Sequence, residues 1–191
     1  MLRTLRQRKI KIDNLYLDPN NPRLFGISGY RSANVLDERI MEEAVQHDVY
    51  ETMVRTPHFD VKSMYDSIKE VGFLPIDQII VKQIRDTDNF VVLEGNRRLS
   101  AIRWVMKDHS RGEITLSEEK IASMTELSAV EYFGSSEREN IDRIVLQGSR
   151  HVSGVKEWGP FEKALGIMEL LGTGRLLPIF VTHSYGNISS H

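Results

Sequence analysis

Between Phe90 and Lys107 the sequence FVVLEGNRRLSAIRWVMK changes period once, and that change limits the folds open to the chain. FVVL is an apolar, β-branched run with the composition of a strand. After a single glycine, Leu99, Ile102, Val105 and Met106 recur at helical spacing and mark the buried stripe of a helix over residues 96–107. A strand that passes into a helix with no intervening loop calls for a layer of helix on sheet. Upstream, IDQIIVKQI and the turn-rich RDTDN complete a β-hairpin whose second strand is FVVL.

The rest of the chain fills in around this unit. IKIDNLYL, residues 10–17, alternates apolar and polar positions and predicts one strand, which stops at DPNNPRL, where two prolines and Asn20 and Asn21 favour a tight turn. Residues 34–55 predict a helix with Val35, Ile40, Met41, Ala44, Val45 and Val49 on its inner side. Asp60 is placed to cap a second helix carrying Val61, Met64, Tyr65, Ile68 and Val71, with Gly72 as its stop. DHSRGEITLSEEK leads through a polar loop to a short helix, and LSAVEYF predicts a further strand. Ser136 and Glu139 fit a capping box opening a helix with Ile141, Ile144 and Val145, and Pro160 starts a last helix that runs to Gly172. The expectation is an α+β fold, a small mixed sheet flanked by helices over residues 1–134, followed by a helical extension over 135–191.

Composition narrows the chemistry. The 191 residues carry a formal net charge of -2, so affinity for nucleic acid has to come from a local patch. With no cysteine, disulfides, thiolate metal sites and cysteine nucleophiles are excluded within the chain, and a reducing cytoplasm is compatible. The six histidines lack zinc spacing, with His47, His58 and His109 isolated, so no structural metal is expected. The basic start MLRTLRQRKIKI is followed by polar residues, unlike a signal peptide, and no apolar run approaches the ~20 residues that span a bilayer.

The paired arginines Arg97 and Arg98 stand where a helix already presents positive charge, against the usual preference for acids. An anion at the turn relieves the conflict, because free N–H groups and guanidinium forks can coordinate phosphate oxygens together. The alternative is that the arginines are solvated or paired with an acid such as Glu94. Neither a Walker loop nor a dinucleotide fingerprint is present. Trp104 and Trp158 could stack on a base, but they stand at positions where packing is the commoner role, and His151 lies in a short basic loop with Arg150 and Lys156.

The order DPNNPR, then SIKEVGFLPIDQIIVKQI, then FVVLEGNRRLSAIRW, with LQGSRHVSGVKEWGPFEKA farther on, resembles the N-terminal domain of ParB partition proteins and the wider ParB/sulfiredoxin superfamily. The resemblance implies a domain that binds a nucleoside triphosphate, CTP or ATP, with Mg2+ held mainly by phosphates, acting as a slow NTPase switch in a DNA-associated homodimer. By motif match, Gly95, Asn96, Arg97 and Arg98 would hold the phosphates, Gln147 and Arg150 would close over them, and Asn21, Pro22 and Arg23 would shape the pocket. The sequence departs from the family where Asn96 replaces the usual acid, and where Val145 and Leu146 replace a Glu-Asn pair. Sulfiredoxin chemistry needs a cysteine and is set aside. Other readings are a ParB-like nuclease, a small-molecule kinase with Glu94 as its candidate base, or a structural module that has lost nucleotide binding.

Overall fold

The computed structural model describes residues 5–74 and 79–133. The expected helices beyond residue 135, together with Gln147, Arg150, His151 and Trp158, lie outside the described residues.

The hairpin forms as its pattern predicts. Strands β3 (Ile79–Gln83) and β4 (Phe90–Glu94) pair antiparallel, and β4 runs through Gly95 into a helix over Asn96–Ser110. That helix continues three residues past its predicted end, with Lys107 and His109 in a last turn where the helix dipole favours positive charge.

The single strand expected over residues 10–17 is two strands. β1 (Leu5–Lys11) and β2 (Leu15–Leu17) are separated by a 3-10 turn over Ile12–Asn14. Asp13 and Asn14 are adjacent polar residues that break the apolar-polar alternation of Ile10–Ile12, and both are turn formers. The two pieces reach opposite edges of one five-stranded mixed sheet of order β1-β5-β3-β4-β2. β1 runs antiparallel to β5 (Glu126–Tyr132), the strand expected from LSAVEYF, and β2 runs parallel to β4. The fold is therefore α+β with a small mixed sheet, as the sequence predicts.

The remaining helices, in chain order, are α1 (Pro22–Phe25), α2 (Glu43–Arg55), α3 (Val61–Val71), α4 (Asn96–Ser110) and α5 (Glu118–Thr125). The predicted helix over residues 34–55 starts at Glu43 instead, and Asp37–Arg39 form only a 3-10 turn. Two local facts stop an earlier start. Asn34 sits at φ 58°, and the amide of Asn20 takes both backbone groups of Val35, donating to its carbonyl and accepting from its N–H, each at 2.8 Å. Val45, Val49 and Met53 then face inward, whereas Ala44 is exposed.

α3 ends at Gly72, φ 79°, with Val61, Tyr65 and Ile68 buried; Val71, expected on the inner stripe, is 55% exposed. Leu99, Ile102 and Val105 of α4 join these residues and Leu15, Leu17, Val81, Val92 and Leu127 of the sheet in one core. Among the described residues no helix is long and apolar enough to cross a membrane.

Candidate functional site

The turn between β4 and α4 is built on a glycine that nothing else can replace. Gly95 has φ 109°, in the left-handed region, and a Cβ there would lie 2.4 Å from Cγ2 of Ile79 on the neighbouring strand. The glycine lets β4 close against β3 and turn into α4 within one residue. The N–H groups of the first turn of α4 then have no acceptor within the helix, and the helix dipole adds positive potential at the same place.

Asn96, the first residue of α4, ties this turn to the DPNNPR segment. Its side chain is 3% exposed; Oδ1 accepts from the Asp18 N–H at 2.8 Å and Nδ2 donates to the Val92 carbonyl at 2.6 Å. Both side-chain functions are thereby engaged inside the protein. The expectation that Asn96 contacts phosphate is narrowed to its backbone, and the side chain works as a staple. An amide can accept at one atom and donate at the other, which a carboxylate cannot do without a proton. That accounts for an amide at this position.

The stapled segment is itself ordered by side-chain capping. Asn20 N–H bonds Asp18 Oδ1 at 2.9 Å, and Asn21, 4% exposed, accepts the Arg23 N–H at 3.0 Å, starting the short helix α1 with Pro22 at its first turn. This geometry delivers Arg23 to the neighbourhood of Arg97, close enough that its charge depresses the Arg97 pKa. Arg23 therefore belongs to the same charged cluster as the GNRR arginines.

Arg97 is in an unfavourable setting for a cation. Its side chain is 12% exposed, its Nε is buried with no hydrogen-bond partner, and its pKa is lowered, first by burial and next by Arg23, with Arg98 adding to the effect and Asp60 and Glu94 opposing it. Its polar contacts are to Asp60, whose carbonyl accepts from Nη2 at 3.3 Å and whose carboxylate lies at 3.7 Å. Asp60 occupies the position before α3 but makes no capping bond, because at φ 52° its backbone is left-handed. Arg98 faces Glu94 at 3.8 Å, one helical turn back. Both ion pairs are longer than the ~2.7–2.9 Å of a strong charge-assisted hydrogen bond, and on Arg97 the buried Nε has no acceptor among the described residues.

Glu94, the candidate base, is thus placed against Arg98. Trp104 packs against Tyr65 with ring centroids 4.6 Å apart and belongs to the helix interface. The contacts of Asp60 and Asp18 with the GNRR turn carried no signal in the sequence, since neither is near GNRR in the chain; Asp18 acts through its backbone N–H and Asp60 through its carbonyl as well as its carboxylate. Among the described residues no group of three or more His, Asp or Glu side chains could hold a metal ion.

Among solved structures, the chain is similar to the C-terminally truncated chromosome-partitioning protein ParB from Caulobacter crescentus complexed with CTP-gamma-S. The sequence identity is 14% and the TM-score 0.42, covering 88% of this chain. The chain spans 64% of the length of that structure. No family model and no curated protein matches the sequence.

Proposed function

We propose that the first turn of α4, with Arg23, Arg97 and Arg98, binds the phosphate chain of a nucleoside triphosphate. The observation that carries the reading is the gathering of three arginines from two distant segments at a helix N-terminus, with Arg97 largely shielded from water and, among the described residues, held by long contacts to Asp60. Confining like charges at such a place costs free energy, and a polyanion removes that cost while engaging N–H groups and guanidinium forks together. The order of the motifs along the chain supports the same reading, because it resembles the ParB nucleotide domain.

On this proposal the ligand is CTP or ATP. A Mg2+ ion that accompanies it is held by phosphate oxygens and water, with few protein ligands. The motif match assigns Gln147 and Arg150 to the same ligand, and both lie outside the described residues. The nucleotide, hydrolysed slowly if at all, acts as a switch in a DNA-associated homodimer. The test is a calorimetric titration of the wild-type chain with CTP, ATP and GTP beside Arg97→Ala and Arg23→Ala. A charge-assisted hydrogen bond contributes about 1.5–3 kcal/mol, so Arg97→Ala is expected to weaken binding roughly 10- to 150-fold. Failure of the wild type to bind any of the three removes the proposal.

A further inference from the structure

A cavity of about 510 Å3 opens beside the last two turns of α4, away from the Gly95 turn. Arg103 lies six residues beyond Arg97, roughly 9 Å along the helix axis. Its lining includes Arg103, Met106 and Lys107 from α4, Asp13 from the 3-10 turn after β1, and Met41 and Glu43 at the start of α2. The cavity is lined by parts of the chain that nucleotide binding does not use, and it is independent of that proposal.

The charges in this cavity are arranged unusually. Arg103 is half-buried, donating from Nη2 to the Leu15 carbonyl at 2.5 Å and from Nη1 to Gln46 Oε1 at 3.3 Å. These are neutral acceptors, and among the described residues no carboxylate forms an ion pair with it. Burial lowers its pKa, while Tyr16, Asp13 and Tyr50 act in the opposite sense. Nor do Lys107, Asp13 and Glu43 pair with one another or with Arg103, although elsewhere on the surface Arg39 pairs with Glu42 and Arg55 with Glu51. Two cations and two anions therefore line one ligand-sized space without forming an ion pair among themselves. A single inorganic anion would satisfy Arg103 and meet repulsion from both acids, and a simple cation would meet the converse. A molecule carrying both charges answers both kinds of side chain.

We infer that this cavity binds a small zwitterion with an apolar side chain, a free amino acid or a short peptide. The carboxylate sits on Arg103 with Lys107 alongside, the ammonium group faces Asp13 and Glu43, and the side chain rests on Met41 and Met106. The contact is reversible binding with no bond made or broken.

The experiment is an amide-resolved NMR titration of the full chain with L-leucine and with leucyl-leucine. N-acetyl-leucine, which lacks the ammonium charge, and leucine methyl ester, which lacks the carboxylate, are titrated beside them. The inference expects saturable shifts at Asp13, Gln46 and Arg103 with at least one zwitterion, and affinity about tenfold or more weaker for each derivative. The tighter of the two zwitterions assigns the source, amino acid or peptide. Asp13→Asn and Arg103→Lys are each expected to weaken the zwitterion. Because Arg103 also holds the Leu15 carbonyl, the ligand series and Asp13→Asn decide the matter if Arg103→Lys fails to fold. Absence of shifts with both zwitterions, or equal binding of the derivatives, overturns the inference and leaves the four groups as solvated surface charges.

Discussion

Replacing Asn96 with alanine tests how the two halves of the candidate site are joined. The substitution removes the acceptor used by the Asp18 N–H, at a residue that is 0% exposed, and the donor to the Val92 carbonyl. A buried donor stripped of its partner costs about 1–3 kcal/mol, and the second bond contributes about 0.5–1.5 kcal/mol. The expected loss is thus about 2–4 kcal/mol, and a 3 kcal/mol loss corresponds to a Tm drop of about 6–12 °C at this chain length. Urea and thermal unfolding read it directly, with Asn14→Ala as a control. Asn14 donates to the Asp88 carbonyl at 3.3 Å on the exposed surface, and its loss should stay within about 0.5 kcal/mol. Asn96→Ala should also weaken anion binding although every arginine is present, because the DPNNPR segment that places Arg23 is no longer fastened. A loss below about 1 kcal/mol would refute the staple.

Gly95→Ala is expected to cost more than about 3 kcal/mol, combining a left-handed backbone, about 1–3 kcal/mol, with the overlap of the new Cβ on Ile79. In Gly95→Ala/Ile79→Ala the two losses should fall short of additivity by over about 1 kcal/mol, whereas additive losses would show that the contact is not the cause. Tyr65 donates to Asp108 at 2.7 Å, and burial together with that bond pushes its pKa from 10.0 up to about 12. A raised pKa favours the protonated fold, so this stability is complete below pH 10.0 and is lost as pH rises toward about 12. Chemical denaturation across that window should show the decline, and Tyr65→Phe should shrink it.

What the sequence made legible follows from the range of the interactions involved. The hairpin and α4 depend on local period and on one glycine, and both could be read. The placing of residues 10–17 at opposite sheet edges could not: the adjacent Asp13 and Asn14 mark a break in the alternation, but β1 finds its partner in β5, far along the chain. The late start of the expected 34–55 helix involves Asn20 reaching Val35, again a tertiary contact. At the site, motif order was enough to draw attention to Arg23 beside Arg97 and Arg98. Asn96 was read from the same motif as a phosphate ligand, but a buried amide must satisfy both ends, and here Asp18 and Val92 do so. Asp60 was invisible as a partner of Arg97 because it acts through a backbone carbonyl as well as a side chain.

The central claim is that the turn between β4 and α4 holds phosphate. The most direct measurement is a two-dimensional amide NMR titration of the full chain with CTP, with tripolyphosphate alongside to isolate the phosphate contribution. The account predicts saturable shifts for both ligands, largest at Gly95, Asn96, Arg97 and Arg98 and extending to Arg23, with the Arg97 response abolished in Arg97→Ala. Shifts confined to other surfaces, or none with either ligand, would contradict it.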